Sequence, residues 1–147
     1  MNANVENAAL ARRWFGQMWN TRDEGLLVEL MAPDCTGEAE GGRLASRDEW
    51  VANVYRVFLA AFPDLRLEVI GTVAEGDEVM IRWRATGTHQ GDTLGVAPTG
   101  LKVDFRGMSW IRCRNGQIVE GTDSWNQTGL MQALQTRGTC GTVQVLE

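Results

Sequence analysis

An α+β domain is what this sequence predicts, with helices in its first third and an antiparallel meander of long strands after them. Apolar residues recur at helical spacing as far as Phe62, and from Asp64 onward the period changes from 3.6 to 2. The chain has no repeats and no low-complexity linker, so we place a single domain at residues 1–137 and a loosely held tail at 138–147. A strongly curved sheet wrapped around three helices leaves a pocket between the two layers.

The first helix spans about residues 4–20, where Val5, Ala8, Ala9, Phe15, Met18 and Trp19 share helical spacing. Thr21-Arg22-Asp23-Glu24 has the capping-box pattern, opening a short helix that carries Leu26, Leu27, Leu30 and Met31 until Pro33 stops it. Ser46-Arg47-Asp48-Glu49 repeats the pattern before a third helix, with Trp50, Val51, Val54, Val57, Phe58 and Ala61 on its buried side. Pro63 ends that helix by disfavouring helical geometry at Phe62. Leu65, Leu67 and Val69 then alternate with Arg66 and Glu68, as in a half-buried strand. Glu75-Gly76-Asp77 turns the chain into a strand from Val79 to about His89. Residues 90–100, rich in Gly and Pro, form a candidate lid with Gly91, Gly95 and Gly100 as flexible points. A strand over 103–113 follows, and Arg114-Asn115-Gly116 makes a tight hairpin, because Asn-Gly adopts the positive φ angles of a type I′ turn. The last strand starts at Gln117 and ends at about residue 126; a short apolar helix over 130–134 closes the domain, and residues 143–146 can pair with a sheet edge.

Composition narrows the function classes. The 147 residues are 44% hydrophobic and 22% charged, enough for one apolar core. No apolar run approaches the ~18 residues of a membrane span. Met1-Asn2-Ala3-Asn4-Val5-Glu6 lacks the basic and then apolar stretch of a secretory signal. A net charge of −5 argues against binding a nucleic-acid backbone. The three cysteines, Cys35, Cys113 and Cys140, lie far apart beside a single histidine, which argues against structural zinc and against a disulfide framework. The expectation is a cytoplasmic, metal-free protein with no nucleic-acid or membrane partner, whose function lies in a small site.

Strand parity locates that site, since successive side chains point to opposite faces. Val79, Ile81, Trp83, Ala85, Gly87 and His89 are inward, against Met80, Arg82, Arg84, Thr86 and Thr88. On the next strand Val103, Phe105, Gly107, Ser109, Ile111 and Cys113 are inward. On the last, Val119, Gly121, Asp123 and Trp125 are expected inside, away from Ile118, Glu120, Thr122 and Ser124. Two ionisable residues, His89 and Asp123, thus fall on apolar faces. Desolvation should raise the pKa of such a carboxyl group and bring a weak base toward useful strength near neutral pH. The alternatives are a buried Asp123 satisfied by backbone amides or by Trp125 Nε1, and a rim His89 with no chemical role.

Several strings resemble the SnoaL-like polyketide cyclase family. They are Ala61-Phe62-Pro63-Asp64-Leu65, Glu75-Gly76-Asp77-Glu78-Val79, Arg82-Trp83, Gly87-Thr88-His89-Gln90-Gly91 and Pro98-Thr99-Gly100. Asn115-Gly116-Gln117-Ile118-Val119-Glu120, followed by Asp123-Ser124-Trp125, completes the set, so the likeness covers about residues 14–134. It implies the NTF2-like, cystatin-like cone around a deep apolar cavity, and a cofactor-free intramolecular aldol closure of a polyketide ester. By that resemblance Asp123 matches the family's general acid/base and His89 the histidine that assists at the substrate carbonyl. Many relatives carry His-Trp-Asp where this chain has Gly121-Thr122-Asp123; the missing bulk enlarges or reshapes the pocket.

In the chemistry this implies, a carbon acid beside a carbonyl loses its proton to Asp123. The enolate then needs a donor, either His89 or the indole N–H of Trp83 or Trp125. Trp83, Trp125, Phe105, Ser109, Tyr55 and Phe58 are the expected contacts to a small hydrophobic ligand, aromatic or polycyclic, whereas Trp14, Trp19 and Trp50 are expected to be core packing. Glu38 and Glu40 read as a solvated strand end, Asp92 and Asp104 as surface charges, and Cys113 as a small core residue. Competing readings are a ketosteroid-isomerase-like proton transfer, a non-catalytic ligand-binding protein and an epoxide hydrolase. The last uses an Asp-Arg-Asp set, which an arginine two residues before an aspartate on one strand would support; the candidate is Arg82-Trp83-Arg84, and parity points both arginines outward. The outward face carrying Met80, Met108 and Trp110 is the expected interface of a homodimer.

Overall fold

The computed structural model describes residues 2–136 and 141–147, so Cys140 and the start of the tail at Gly138 lie outside the described residues. Asn2 caps the first helix, its side-chain oxygen accepting the Asn4 N–H at 2.7 Å. From there α1 (Ala3–Arg13) continues through a π-helical segment, Trp14–Met18, into a last turn, α2 (Trp19–Thr21). Arg22 ends it in the left-handed region at φ 55°. Its guanidinium secures that conformation by donating to the carbonyls of Trp19, Asn20, Pro63 and Leu65. The cap of α3 (Glu24–Leu30) is Asp23, whose carboxylate accepts the Leu26 N–H at 3.0 Å. The Thr21 of the sequence pattern instead belongs to the preceding turn, its hydroxyl donating to the Gln17 carbonyl.

Pro33 does not stop α3, which has already ended at Leu30. The chain passes straight into β1 (Met31–Ala39), with Pro33 inside it. Proline has no N–H for a ladder, and it falls in the stretch between Met31 and Thr36 where the β1–β6 register shifts. After β2 (Gly42–Leu44), Ser46 caps α4 (Arg47–Trp50) by accepting the Glu49 N–H at 3.2 Å, and Glu49 reaches back to the Ala45 N–H at 2.6 Å. A second π-helical segment, Val51–Tyr55, leads to α5 (Arg56–Ala61), which ends at Phe62 before Pro63 as expected.

The remaining strands are β3 (Arg66–Glu75), β4 (Glu78–Thr88), β5 (Lys102–Arg114) and β6 (Gln117–Trp125), joined as an antiparallel meander. The order across the curved, unclosed sheet is β2-β1-β6-β5-β4-β3. Two parallel pairings were not foreseen in kind: β1 lies beside β6, and β7 (Thr142–Val145) runs along the start of β5. Asn115 at φ 53° and Gly116 at φ 74° make the expected hairpin. The last helix, α6 (Gln127–Thr136), is capped by Glu40, whose carboxylate accepts the Gln127 N–H at 3.0 Å and the Thr128 hydroxyl. The helices of the first half cover the concave face, so the architecture is the α+β cone. Among the described residues, no helix is long and apolar enough to cross a membrane.

Parity holds wherever pairing is continuous. Residues 78–88 pair with 102–112 without a break, and the inward sets of β4 and β5 are those read from the sequence. On β6 a bulge intervenes: Cys113 pairs with Ile118 but Arg112 with Glu120, leaving Val119 unopposed. Ile118 is therefore the buried residue and Val119 is not the inward one expected, while Gly121, Asp123 and Trp125 recover the inward phase.

Candidate active site

Between the sheet and the helices lies a cavity of about 270 Å³, reached past the β1–β2 hairpin and the start of α6. Trp83, Phe105 and Trp125 build one wall: Trp125 stacks on Phe105 at 4.9 Å, and Trp83 meets Phe105 edge-on at 6.0 Å. This wall requires Gly107. A Cβ there would come within 2.4 Å of the Trp83 ring and 2.7 Å of Trp125 Cβ. The helices supply the facing wall through Trp14, Trp19, Trp50 and Phe58. Trp14 and Trp50 approach to 5.1 Å and Trp19 and Trp50 to 5.6 Å, so these tryptophans are core packing and cavity lining at once. The sequence supported only the first of those roles.

Asp123 lines this cavity from β6, directly opposite Ser109 on β5. The buried Ser109 hydroxyl donates to Asp123 Oδ1 at 2.5 Å, and Trp83 Nε1–H donates to Ser109 Oγ at 3.0 Å. Trp83 thus donates to Ser109 and Ser109 to Asp123, the final acceptor, which fixes the carboxyl group against the wall. Among the described residues Oδ2 has no hydrogen-bond partner. Burial pushes the Asp123 pKa above the ordinary carboxylate range, and the Ser109 hydrogen bond offsets part of the rise. Cys35, missed by the sequence reading because β1 was not recognised as a long strand, also lines the cavity. Burial and the nearby carboxylates of Asp34, Glu120 and Asp123 push its thiol up to about 12, so it stays protonated. At the rim, Glu38 and Arg43 pair with each other at 3.0 Å.

The expectation that His89 shares this hollow with Asp123 is not met. His89 is fully buried, but it does not line the cavity; its ring packs on Phe62 at 5.7 Å, and Phe62 in turn lies 6.3 Å from Phe105. At that end of the cone the inward space is filled by Phe62, so inward there means core. Nδ1 accepts the Thr99 N–H at 3.2 Å and lies 2.9 Å from the Thr99 hydroxyl, which assigns the neutral ring's proton to Nε2. Among the described residues, Nε2 makes no hydrogen bond of normal geometry. Burial holds the His89 pKa below its ordinary value, an effect partly opposed by the Gly91 backbone.

Of the other expected contacts, Trp83, Trp125, Phe105, Ser109 and Phe58 line the cavity, whereas Tyr55 does not. Tyr55 is 1% exposed, enclosed by Trp19 at 5.1 Å and Trp50 at 5.9 Å. Residues 90–100 contribute nothing to the lining: Gln90 and Gly91 donate to the Ala61 carbonyl and Thr93 to that of Val57, tying the segment to α5. Arg84 is engaged on the outer face by Asp104, at 2.7 and 3.0 Å. Among the described residues, no group of three or more His, Cys, Asp or Glu side chains is placed to hold a metal.

Comparison with known proteins agrees with this architecture. No curated protein matches the chain. A candidate SnoaL-like polyketide cyclase from Jannaschia sp. CCS1 superposes with a TM-score of 0.84 at 24% identity, over 92% of this chain and 96% of that one; at that identity the likeness speaks for the fold alone. AclR, a candidate hydroxylase from Streptomyces galilaeus, is 33% identical over 90% of this chain and 82% of its own, with a TM-score of 0.78. IdmH, a candidate polyketide cyclase from Streptomyces antibioticus, is 27% identical over 88% of this chain and 99% of its own, with a TM-score of 0.76. The family model for the SnoaL-like polyketide cyclase matches residues 9–134, and the chain belongs to that family.

Proposed function

We propose that the protein is a cofactor-independent enzyme that removes a proton from carbon beside a carbonyl, in a hydrophobic substrate, and uses the carbanion to close a ring. The observation that carries this is the Asp123 carboxyl group on the lining of an aromatic cavity, anchored through one oxygen by Ser109 and with no partner for the other among the described residues. In the reaction, Asp123 Oδ2 takes the proton, the enolate carbon attacks a second carbonyl of the same molecule, and Asp123 returns the proton to the new alkoxide. No proton is gained or lost overall. Trp125 Nε1–H, which has no hydrogen-bond partner among the described residues, is the donor available to the enolate oxygen; Trp83 Nε1–H is committed to Ser109. The cavity holds the substrate folded, which is where most of the remaining acceleration arises.

The placement of His89 outside the cavity supports a second reading, a ligand-binding protein that keeps the hollow and has lost the chemistry. Isomerisation would use the same abstraction and return the proton to a different carbon. Epoxide hydrolysis is disfavoured because Arg82 is on the outer face and Arg84 is bound to Asp104. Deuterium exchange into 2-tetralone, a carbon acid alpha to a ketone, separates carbanion chemistry of any fate from ligand binding alone. The enzyme reading expects wild type to exchange faster than Asp123→Asn by about 10²–10⁴-fold; equal rates leave only the binding protein. The proposal also takes a second copy of the chain on the outer face, where Trp110 is 51% exposed beside Met80 and Met108. A monomeric mass at micromolar concentration overturns that part.

A further inference from the structure

We infer that Gly37 and Gly121 are the specificity-determining pair of this cavity: together they leave a bare strip of backbone beside Asp123 on which a flat, uncharged two-ring ketone lies with its acidic carbon at the carboxyl group. The inference rests on the reading of Asp123 as the base. Gly37 on β1 and Gly121 on β6 are register partners, and both line the cavity. Gly121 precedes Asp123 by two residues and therefore shares its face, while Trp125 follows by two and stands stacked on Phe105. The carboxyl group is thus flanked by an indole on one side and by no side chain on the other. Oδ2, without a hydrogen-bond partner among the described residues, gives the open side a chemical purpose.

The backbone does not demand glycine at either place. Neither residue has a positive φ, unlike Gly42, Gly76 or Gly116. A Cβ built on Gly121 would meet nothing nearer than Ile111 Cγ2 at 3.8 Å, and one on Gly37 nothing nearer than the Gly121 carbonyl oxygen at 3.8 Å. Those are ordinary contacts. Gly91 is the opposite case, since a Cβ there would come within 2.1 Å of the Ala60 carbonyl oxygen. Glycine weakens a strand interior, and here it occurs twice, side by side, where a side chain would fit the fold but project into the cavity. What the two glycines preserve is space for a ligand.

The chemistry of that ligand follows from what surrounds the strip. Trp14, Trp19 and Trp50 on the facing wall, with Trp83, Phe105 and Trp125 opposite, surround a ligand with aromatic groups, which suits a ring system. The charged rim residues Glu38 and Arg43 are paired with each other, so nothing at the entrance calls for a charged group. At about 270 Å³ the cavity is at the small end for organic ligands, which fits two fused rings better than four.

The test compares wild type, Gly121→Ala, Gly121→Val and Gly37→Ala, with dissociation constants for 2-acetonaphthone and for the one-ring acetophenone, and deuterium exchange at the acetyl methyl of each. The expected result is a loss of about tenfold to a hundredfold in 2-acetonaphthone affinity in Gly121→Val. Gly121→Ala and Gly37→Ala lose less, in the same direction, and acetophenone binding and the ligand-free melting temperature change little. Equal affinity of wild type and all three variants for 2-acetonaphthone overturns the inference, and so does a wild type that binds neither ketone. If the affinities fall as expected but Asp123→Asn exchanges deuterium as fast as wild type, the specificity pair stands and the reading of Asp123 as base fails. The alanine variants add one methyl group in open contact, so the comparison survives a Gly121→Val chain that does not fold.

Discussion

Asp123 and His89 occupy equivalent places in the strand pattern, both on the inward phase of the sheet, and the fold treats them in opposite ways. Above Asp123 the neighbouring strand contributes Gly37 and Ala39, and the helices hold their tryptophans back, so the inward face opens onto a cavity. Above His89, Phe62 fills the same layer and the imidazole is sealed against it. Burial disfavours charge on both, raising the pKa of the acid and lowering that of the imidazole. Their hydrogen bonds then diverge. Ser109 donates to the carboxyl group and supports its anionic form, whereas the Thr99 N–H donates to Nδ1 and supports the neutral ring. Alternation along a strand selects a face; the layer packed over that face decides between a site and a core.

Exchanging the roles experimentally gives the largest effect. Asp123→Asn is expected to lower α-proton exchange by about 10²–10⁴-fold while leaving the melting temperature unchanged or raised, because a desolvated acid is replaced by a neutral amide. His89→Ala is expected to leave exchange within about threefold of wild type and to destabilise by roughly 2–4 kcal/mol, from lost packing and an unpaired Thr99 N–H. Denaturant melts alongside exchange rates check both. A His89→Ala chain of normal stability that has lost its exchange activity would break the comparison.

The part of this contrast legible in the sequence was the part governed by uninterrupted pairing. Trp83, Phe105, Ser109 and Trp125 were placed on the cavity face by counting, because β4 and β5 pair without a bulge and Trp125 lies beyond the one in β6. Val119 was misplaced because a bulge adds a residue that no alternation reveals. Cys35 and Gly37 were overlooked because Pro33 reads as a break, although the β1 register shift accommodates it. Tyr55 was expected at the cavity and lies in the core, while Trp14, Trp19 and Trp50 are core residues as expected but line the cavity as well. Two π-helical segments, Trp14–Met18 and Val51–Tyr55, rotate those faces by an amount that 3.6-residue spacing does not anticipate. Phe62, which closes the space over His89, is distant from it in sequence and carries no signal of that role.

The two groups should also pull stability in opposite directions with pH. The folded imidazole titrates below its unfolded value of about 6.5, so as pH falls through that value the unfolded chain binds a proton first and stability drops, by at most about 1.4 kcal/mol per pH unit. The folded Asp123 titrates above its unfolded value of about 3.9, so the folded chain holds its proton longer and stability drops as pH rises through the window above that value. Denaturant midpoints against pH should show the acid-side loss flattened in His89→Ala and the opposing loss flattened in Asp123→Asn. Parallel profiles for the two variants would mean that burial does not act on them as described.

Ser109→Ala should have the smallest effect and the most diagnostic one. It removes the donor to Asp123 Oδ1 and leaves Trp83 Nε1–H without its acceptor. The Ser109 hydrogen bond lowers the Asp123 pKa, so without it the carboxyl group holds its proton to higher pH. The midpoint of exchange rate against pH should therefore move upward, and the rate well above that midpoint should fall by no more than about tenfold, since the base itself remains. A residue that merely filled space would change the melting temperature and leave the midpoint where it was. Ser109→Thr, which keeps the hydroxyl, should restore the wild-type midpoint even where the added methyl group costs stability. An unmoved midpoint in Ser109→Ala would show that the hydroxyl does not govern proton affinity at Asp123. The difference between the acid and the imidazole would then rest on the cavity alone.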